Sequence, residues 1–328
     1  MNDPHHGPPS QDRAVAEAGW QYRGHARMPL NTRPTEFSRT YYDAARHQPL
    51  TIGEGCSLDR WMSGHEGTTF AFHPNGFPVF LKPAEIAASD EYRDGDPYCA
   101  SEGLEKWPAF QNRRVHTTLK LVEEALGARS RDACILDVAC GEGVITSEIK
   151  KRFPTAEVCG IDYSLSAIEV ASRRHSDIEF AVGDAYRLPY RPELFDVAVL
   201  NNIWEHVPDP LRLLEGIKRV LKPEGYVIIS TPSRYRLRNM VRVSLGLPVA
   251  FMSTRHVTEY TVGQVLEQLR FAGMDAKVID EPLRGPAGGL LRFMAFKMAV
   301  PAVRLMLRVA GSHHSPEETV FYLARRQH

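Results

Sequence analysis

The chain reads as an α/β protein built on a mostly parallel sheet. Three observations lead there. From Cys134 onward, short apolar runs alternate with amphipathic segments; one of those runs passes through a carboxylate into two glycines set one residue apart; and acidic or amide residues recur at the carboxyl ends of successive runs. Strands that alternate with helices form β-α-β units, which close into parallel sheets.

The elements follow in order. The first fifty residues are rich in Pro, His, Gly and Arg and show no sustained period, so residues 1–50 are expected to be disordered or loosely ordered. Residues 51–105 form an N-terminal extension or cap, in which FAFHPNGFPVFLKP predicts a hairpin turning at Pro74-Asn75-Gly76. A helical pattern runs from about Trp107 to Leu126 and opens the main domain, residues 106–328. ACILDVA, EVCGID, IEFAVG, FDVAVLN and YVIIST then read as strands, separated by the helical VITSEIKKRF, SAIEVASRRH and a helix around Leu211 to Leu221. Thr261-x-x-Gln264 is a capping box that opens a helix over Val262 to Phe271, and KVID and TVFYLA are the last two strands. Two inserts, 233–256 and 283–316, interrupt the alternation.

Composition removes several classes of function. Lys and Arg number 40 against 40 Asp and Glu, so no global field draws the chain toward nucleic acid, and none is expected as a partner. The cysteines, Cys56, Cys99, Cys134, Cys140 and Cys159, make no C-x-x-C pair, which argues against a zinc site or a disulfide framework and fits a reducing compartment. No apolar run reaches the roughly 20 residues a membrane-spanning helix needs, and the N-terminus lacks the apolar core of a signal peptide, so a cytoplasmic protein is expected.

The stretch ILDVACGEGVIT, residues 135–146, is a strand, a tight turn and a helix start. Gly141 and Gly143 carry no Cβ, so the backbone of such a turn can approach a ligand closely. A dinucleotide fingerprint is G-x-G-x-x-G with an acidic residue about 20 positions on. Thr146 stands where the third glycine belongs, although Asp162 follows at a suitable distance. The turn alone therefore leaves nicotinamide and other adenosine ligands open. Further along, Asp137, Asp162, Asp184 and Asn201-Asn202 each fall at the end of an expected strand, the edge where open α/β sheets bind ligands. Each aspartate could instead merely cap the helix that follows it.

Taken in order, D-x-x-x-G-E-G, G-I-D, G-D-A and F-D-V-A-V-L-N-N resemble the class I S-adenosylmethionine-dependent methyltransferases over about residues 106–328. The resemblance implies a Rossmann-like, seven-stranded sheet, mostly parallel with the last strand antiparallel, carrying an N-terminal extension and helical cap inserts. It also implies S-adenosyl-L-methionine as cofactor. Asp137, Gly141 and Gly143 would face the methionyl part, Asp162 with Tyr163 the ribose, Asp184 with Ala185 the adenine, and Asn201 and Asn202 the same edge. Methyl transfer from a sulfonium is an in-line displacement with a good leaving group, so alignment of donor and nucleophile is the main task, one that can supply on the order of 7–11 kcal/mol.

The run NNIWEHVPDPLRLLEGIKRVLKPEG is similar to the ubiquinone-biosynthesis O-methyltransferases and their small-molecule relatives. In those enzymes an E-x-x-E-H arrangement is linked to a divalent metal. Here Glu205 and His206 are kept but Asn202 stands where the first glutamate would be, so a hard-cation site loses a charged ligand and no metal is expected. His206 is the leading candidate for a general base, with a packed or hydrogen-bonded histidine shaping the turn before Pro208 as its equal alternative; His256 is the second candidate, a kind of residue that more often only pins a loop.

The two inserts share a chemistry. No acidic residue occurs between Gly225 and Thr258, where Arg234, Arg236, Arg238, Arg242 and Arg255 interleave with apolar residues, and Arg292, Lys297, Arg304 and Arg308 punctuate the second insert. Such rims fit a lid over a hydrophobic acceptor or a peripheral contact with anionic lipid; paired cap helices with solvated arginines are the plainer alternative. The expected function is methylation, on oxygen, of a small hydrophobic acceptor of quinone-precursor, lipid-linked or natural-product type. The competing readings are a NAD-dependent oxidoreductase, an RNA or protein methyltransferase, and a non-catalytic donor-binding module.

Overall fold

A computed structural model describes residues 34–64, 68–90, 93, 109–129, 132–279 and 318–327, with scattered positions between 298 and 309. The expected insert at 283–316 therefore lies almost wholly outside the described residues. Along the chain run α1 (Pro34–Thr40), β1 (Tyr42–Asp43), β2 (Gln48–Pro49), β3 (Gly55–Ser57), α2 (Leu58–Met62), β4 (Phe70–Phe72), β5 (Pro78–Val79), α3 (Pro83–Ser89) and α4 (Ala109–Leu126). There follow β6 (Cys134–Val138), α5 (Val144–Arg152), β7 (Glu157–Asp162), α6 (Leu165–Arg174), β8 (Glu179–Val182), β9 (Phe195–Asn201), α7 (Pro210–Val220), β10 (Leu221–Pro232), α8 (Leu237–Ser244), α9 (Val262–Phe271), β11 (Met274–Ile279) and β12 (Thr319–Arg326).

The main sheet has the order β11-β12-β10-β9-β6-β7-β8-β5-β4-β3. Strands β6 to β10 run parallel to their neighbours, and β12 runs antiparallel to both β10 and β11, so the seven-stranded core matches expectation. Three more strands come from the N-terminal extension. The β4–β5 hairpin forms around the expected turn, and β5 joins β8 through the pair Val79 and Val182 and a Phe80 N–H donated to the Val182 carbonyl at 2.8 Å. The extension thus covers a strand edge that would otherwise stand unpaired. Of the residues 1–50 expected to be disordered or loosely ordered, 1–33 lie outside the described residues, while 34–50 are described. Phe37, Tyr41 and Leu50 are buried there, because Phe37 stacks on Phe70 and Tyr41 on Tyr190.

Alternation along each strand feeds two layers. Ile135, Val197, Val199 and Ile228 face α4 and α5, while Leu136, Ala198, Leu200 and Ile229 face α7 and α9. This is the period-2 division of a pleated strand between two covered faces. Helix α7 starts on Asp209, whose side chain accepts the Arg212 N–H at 3.0 Å, has Pro210 at its first position and ends on Lys218 and Arg219, so cap and dipole agree. Among the described residues no helix is long and apolar enough to cross a membrane.

Candidate active site

The site is built on the carboxyl ends of β9, β6, β7 and β8, which are consecutive neighbours in the sheet. Strand spacing makes this row about 14 Å long, room for an elongated nucleoside ligand lying across the strands. At its centre β6 leaves the sheet through Ala139 (φ 59°), Gly141 (φ 54°) and Gly143 (φ 76°), a succession of left-handed residues. The turn is tied to β7 by the Cys140 N–H on the Ile161 carbonyl (3.2 Å) and by the Gly141 N–H on Asp162 Oδ2 (2.8 Å).

Two glycines, Gly143 of the turn and Gly160 of β7, make room for one ring. A Cβ on Gly143 would come within 2.8 Å of the Phe180 ring, and one on Gly160 within 2.7 Å of the same ring. Core packing and a left-handed backbone thus both require glycine at 143, apart from any close approach of a ligand to this turn. Thr146, at the position of the absent third glycine, donates its hydroxyl to Asp137 Oδ2 at 2.7 Å. Asp137 is buried, and loss of solvent pushes its carboxyl up to about 7.

The capping alternative fails for two of the three aspartates. Helix α5 begins on Gly143 with no side-chain cap, and α6 is capped by Ser164, whose Oγ accepts the Ala167 N–H at 3.1 Å. Asp162 instead accepts from Gly141 N–H and, through Oδ1, from Ser164 N–H at 2.8 Å, which fixes the carboxylate at the rim between two loops. Tyr163 packs beside it against the apolar cluster that holds α6. Asp184 does cap, accepting the Tyr186 N–H at 2.9 Å at the start of the 3-10 turn Ala185–Arg187, and its other oxygen accepts from Arg187 Nε at 2.9 Å.

Strand β9 ends in a polar network. Asn201 Oδ1 accepts from Thr118 Oγ1 (3.2 Å) and Ser230 Oγ (2.8 Å), while its Nδ2 is buried with no hydrogen-bond partner. Asn202 adopts φ 55°, accepts from Arg114 Nη1 at 2.9 Å and donates Nδ2 to Glu205 Oε1 at 2.9 Å. The residue replacing the first glutamate of E-x-x-E-H is thus an amide bonded to the second one. Glu205 is buried, which pushes its carboxyl upward, and its other oxygen accepts from Thr231 Oγ1 at 2.9 Å.

His206 and His256, fifty residues apart in the chain, meet edge to face with ring centroids 4.9 Å apart. The backbone brings them together: Val257 N–H and Thr258 N–H both bond the Glu205 carbonyl, at 2.8 and 3.2 Å. His256 Nδ1 lies 2.9 Å from Glu259 Oε1, and the buried Glu259 also pairs with Arg236 and accepts the Met252 N–H at 2.5 Å. Sequence reasoning passed over Glu259, although an acid three residues after a histidine was a signal, and counted Arg236 only as part of a basic rim. One ligand atom each from Glu205, His206 and His256 lies within 4.8 Å of the other two, a spacing able to hold a metal ion. The expectation of no metal rested on Asn202 and took no account of His256 as a third donor.

Residues 136–229 match the family model of the methyltransferase domain. Over these residues the chain is similar to methyltransferase domains, in line with the resemblance to class I S-adenosylmethionine-dependent methyltransferases that its strand-end motifs carry. Over 177 residues it is 31% identical to an uncharacterized methyltransferase of Schizosaccharomyces pombe, covering 47% of this chain and 59% of that protein. It is 36% identical over 95 residues to the demethylmenaquinone methyltransferase of Thermotoga maritima, covering 29% of this chain and 42% of that one. It is also 36% identical over 117 residues to the malonyl-[acyl-carrier protein] O-methyltransferase of Hahella chejuensis, covering 34% and 42%. The chain spans about half the length of these curated relatives.

The cofactor of such a methyltransferase domain is S-adenosylmethionine, and the residues present fit it. Between Asp137 and Lys150 the turn and the start of α5 carry Glu142 and Glu148 but no basic side chain to grip a pyrophosphate. The polar groups facing the row are carboxylates, amides and backbone N–H groups, suited to hydroxyls, amines and a cationic donor, and the unpartnered Asn201 Nδ2 adds a donor awaiting an acceptor.

Proposed function

We propose that this chain transfers a methyl group from S-adenosylmethionine to an oxygen of a small, hydrophobic acceptor. The observation that carries the proposal is the joining of two half-sites along one sheet edge: the Asp137–Asp162–Asp184 row, and the His206–His256 pair directly after β9. Bound in the row, S-adenosylmethionine supplies an electrophilic methyl on a sulfonium. The Gly141 turn and Asp137 hold its methionyl part, Asp162 with Tyr163 the ribose hydroxyls, Asp184 with Ala185 the adenine, and Asn201 and Asn202 line the end nearest the acceptor. Glu259, whose carboxyl is held low by hydrogen bonds from His256 and the Met252 N–H and by Arg236, accepts a hydrogen bond from His256 Nδ1–H and leaves Nε2 as the acceptor nitrogen. His206 or His256 then removes the hydroxyl proton of the substrate as the new bond forms.

The names of the demethylmenaquinone and malonyl-[acyl-carrier protein] relatives support an acceptor that is small or carrier-borne. Its hydrophobic character is supported by α8 and the loop after it, where Val241, Val243, Leu245, Leu247, Phe251 and Met252 are exposed beside Arg238 and Arg242. The same surface supports peripheral contact with anionic lipid. Calorimetric titration with S-adenosylhomocysteine and with NADH tests the donor: tight NADH binding without S-adenosylhomocysteine binding would replace the reading with an oxidoreductase. Labelled donor incubated with extracted metabolites and lipids, followed by mass spectrometry, identifies the acceptor. Labelling confined to RNA or protein would move the reading to a macromolecular methyltransferase.

A second reading of the histidine pair follows from the 4.8 Å convergence of Glu205, His206 and His256. Two imidazoles and a carboxylate suit a borderline transition ion better than a hard cation. Zinc and magnesium titrations on wild type and His256→Gln separate the two uses of the pair: stoichiometric zinc binding lost in the variant supports the metal, and its absence supports the base.

A further inference from the structure

The N-terminal extension does more than cover the edge of β8. Helix α3 and the residue after it reach both of the carboxylates assigned to the nucleoside. Asp90 accepts hydrogen bonds from the Ser164 hydroxyl, from Ser166 Oγ at 2.5 Å and from Ser166 N–H at 3.3 Å. Ser164 Oγ already accepts the Ala167 N–H, so its single hydrogen goes to Asp90, while its backbone N–H goes to Asp162 Oδ1. At the other end of the helix, Glu85 Oε1 pairs with Arg187 Nη2 at 2.5 Å, and Arg187 Nε binds Asp184 Oδ2 at 2.9 Å. Glu85 and Asp90 are separated by about 7.5 Å of helix, enough to bridge neighbouring strand ends about 4.8 Å apart.

The helix that holds these groups is itself anchored. Pro83 opens it, Glu85 Oε2 accepts the Lys82 N–H at 2.7 Å, and Ile86 is buried. Just before it, Trp61 Nε1 donates to the Leu81 carbonyl at 2.7 Å, in the apolar cluster shared with Leu165, Ile168 and Phe180. A rigid helix thus fixes two acids, and each acid fixes one loop of the donor site.

We propose that α3 is a two-point clamp on the donor site: Asp90 is a positioning residue for the ribose carboxylate Asp162, acting through Ser164, and Glu85 is one for the adenine-side Asp184, acting through Arg187. The inference rests on the donor reading given above. It makes the extension part of the nucleoside-recognition machinery, with Asp90 the stronger arm. The Glu85–Arg187 pair lies in solvent, its side chains 27% and 52% exposed, and screening weakens it.

The test is calorimetric binding of three ligands to wild type, Asp90→Asn and Glu85→Gln: S-adenosylhomocysteine, its 2′-deoxy analogue, and S-inosylhomocysteine, which lacks the 6-amino group. Asp90→Asn is expected to lower affinity for S-adenosylhomocysteine about tenfold and to shrink the preference over the 2′-deoxy ligand, leaving the preference over the inosine ligand intact. Glu85→Gln is expected to show the converse pattern with a loss of a few-fold. Should Asp90→Asn not fold, as judged by its ligand-free melting curve, Ser166→Ala removes one donor to Asp90, keeps the cap of α6, and is expected to shift the ribose preference the same way. Wild-type affinities and preferences in the variants, or equal losses for all three ligands, would overturn the clamp and leave α3 a structural brace. Failure of wild type to bind S-adenosylhomocysteine would overturn the donor reading, and the clamp with it.

Discussion

Asp137 sits behind the glycine turn with its carboxyl near neutrality, raised first by burial, while the Thr146 hydroxyl opposes the rise and the charge of Asp162 adds to it. Because the folded value lies above the ordinary one, the stability this group contributes is fully present below the normal carboxylate range and is lost as pH rises through about 7. On the proposed assignment a cationic donor beside Asp137 favours its ionised form. Binding of S-adenosylmethionine near pH ~6.5 should then release a proton and weaken as pH falls. Calorimetry in buffers of different ionisation enthalpy should detect that proton in wild type and lose it in Asp137→Asn. Gly143→Ala forces a Cβ against Phe180 from a left-handed backbone, and an unfolding midpoint reporting a loss of about 2 kcal/mol is expected. Asp162→Ala should abolish donor binding, whereas His206→Gln should slow turnover and leave donor binding unchanged; unchanged turnover would remove His206 from the chemistry.

At the scale of elements, the buried ion pair of Arg236 with Glu259 ties the start of α8 to the loop before Tyr260. Arg236 also reaches the Ala250 carbonyl at 2.5 Å, and Asn239 binds the carbonyls of Arg234 and Ala250. Glu259→Ala would leave Arg236 buried without its counter-charge at a cost of about 3–5 kcal/mol. The expected readout is faster amide exchange and proteolysis confined to residues 234–258, with His256 freed from its orientation. The sequence makes the seven core strands and their helices readable, because long apolar runs, the Thr261 capping box and the strand-end acids each carry their own local signal. Strands β3 to β5 are two or three residues long, too short for a period to show. The meeting of His206 with His256, and of Asp90 with Ser164, depends on contacts between distant parts of the chain, which no local pattern encodes. Thr146 is the exception, legible as an anomaly before its hydrogen bond explained it.

For the whole molecule, the ten-stranded sheet makes the N-terminal strands a load on the same core. Deleting residues 1–90 would unpair the edge of β8 and uncover Phe180 and Val182, and aggregation on sizing chromatography is the expected result.

Strand β12 lies between β10 and β11 yet follows both in the chain. Until it arrives, each of those strands has an open edge where β12 belongs, and the long connection before it must close against its own entropy. The order of assembly is therefore constrained: the centre of the sheet can form from neighbours in sequence, while its far side waits for the last strand to be threaded in. Refolding should show an early phase in which the glycine turn is already protected and a later one in which β10 and β11 become so, a separation in time that pulsed hydrogen exchange can resolve.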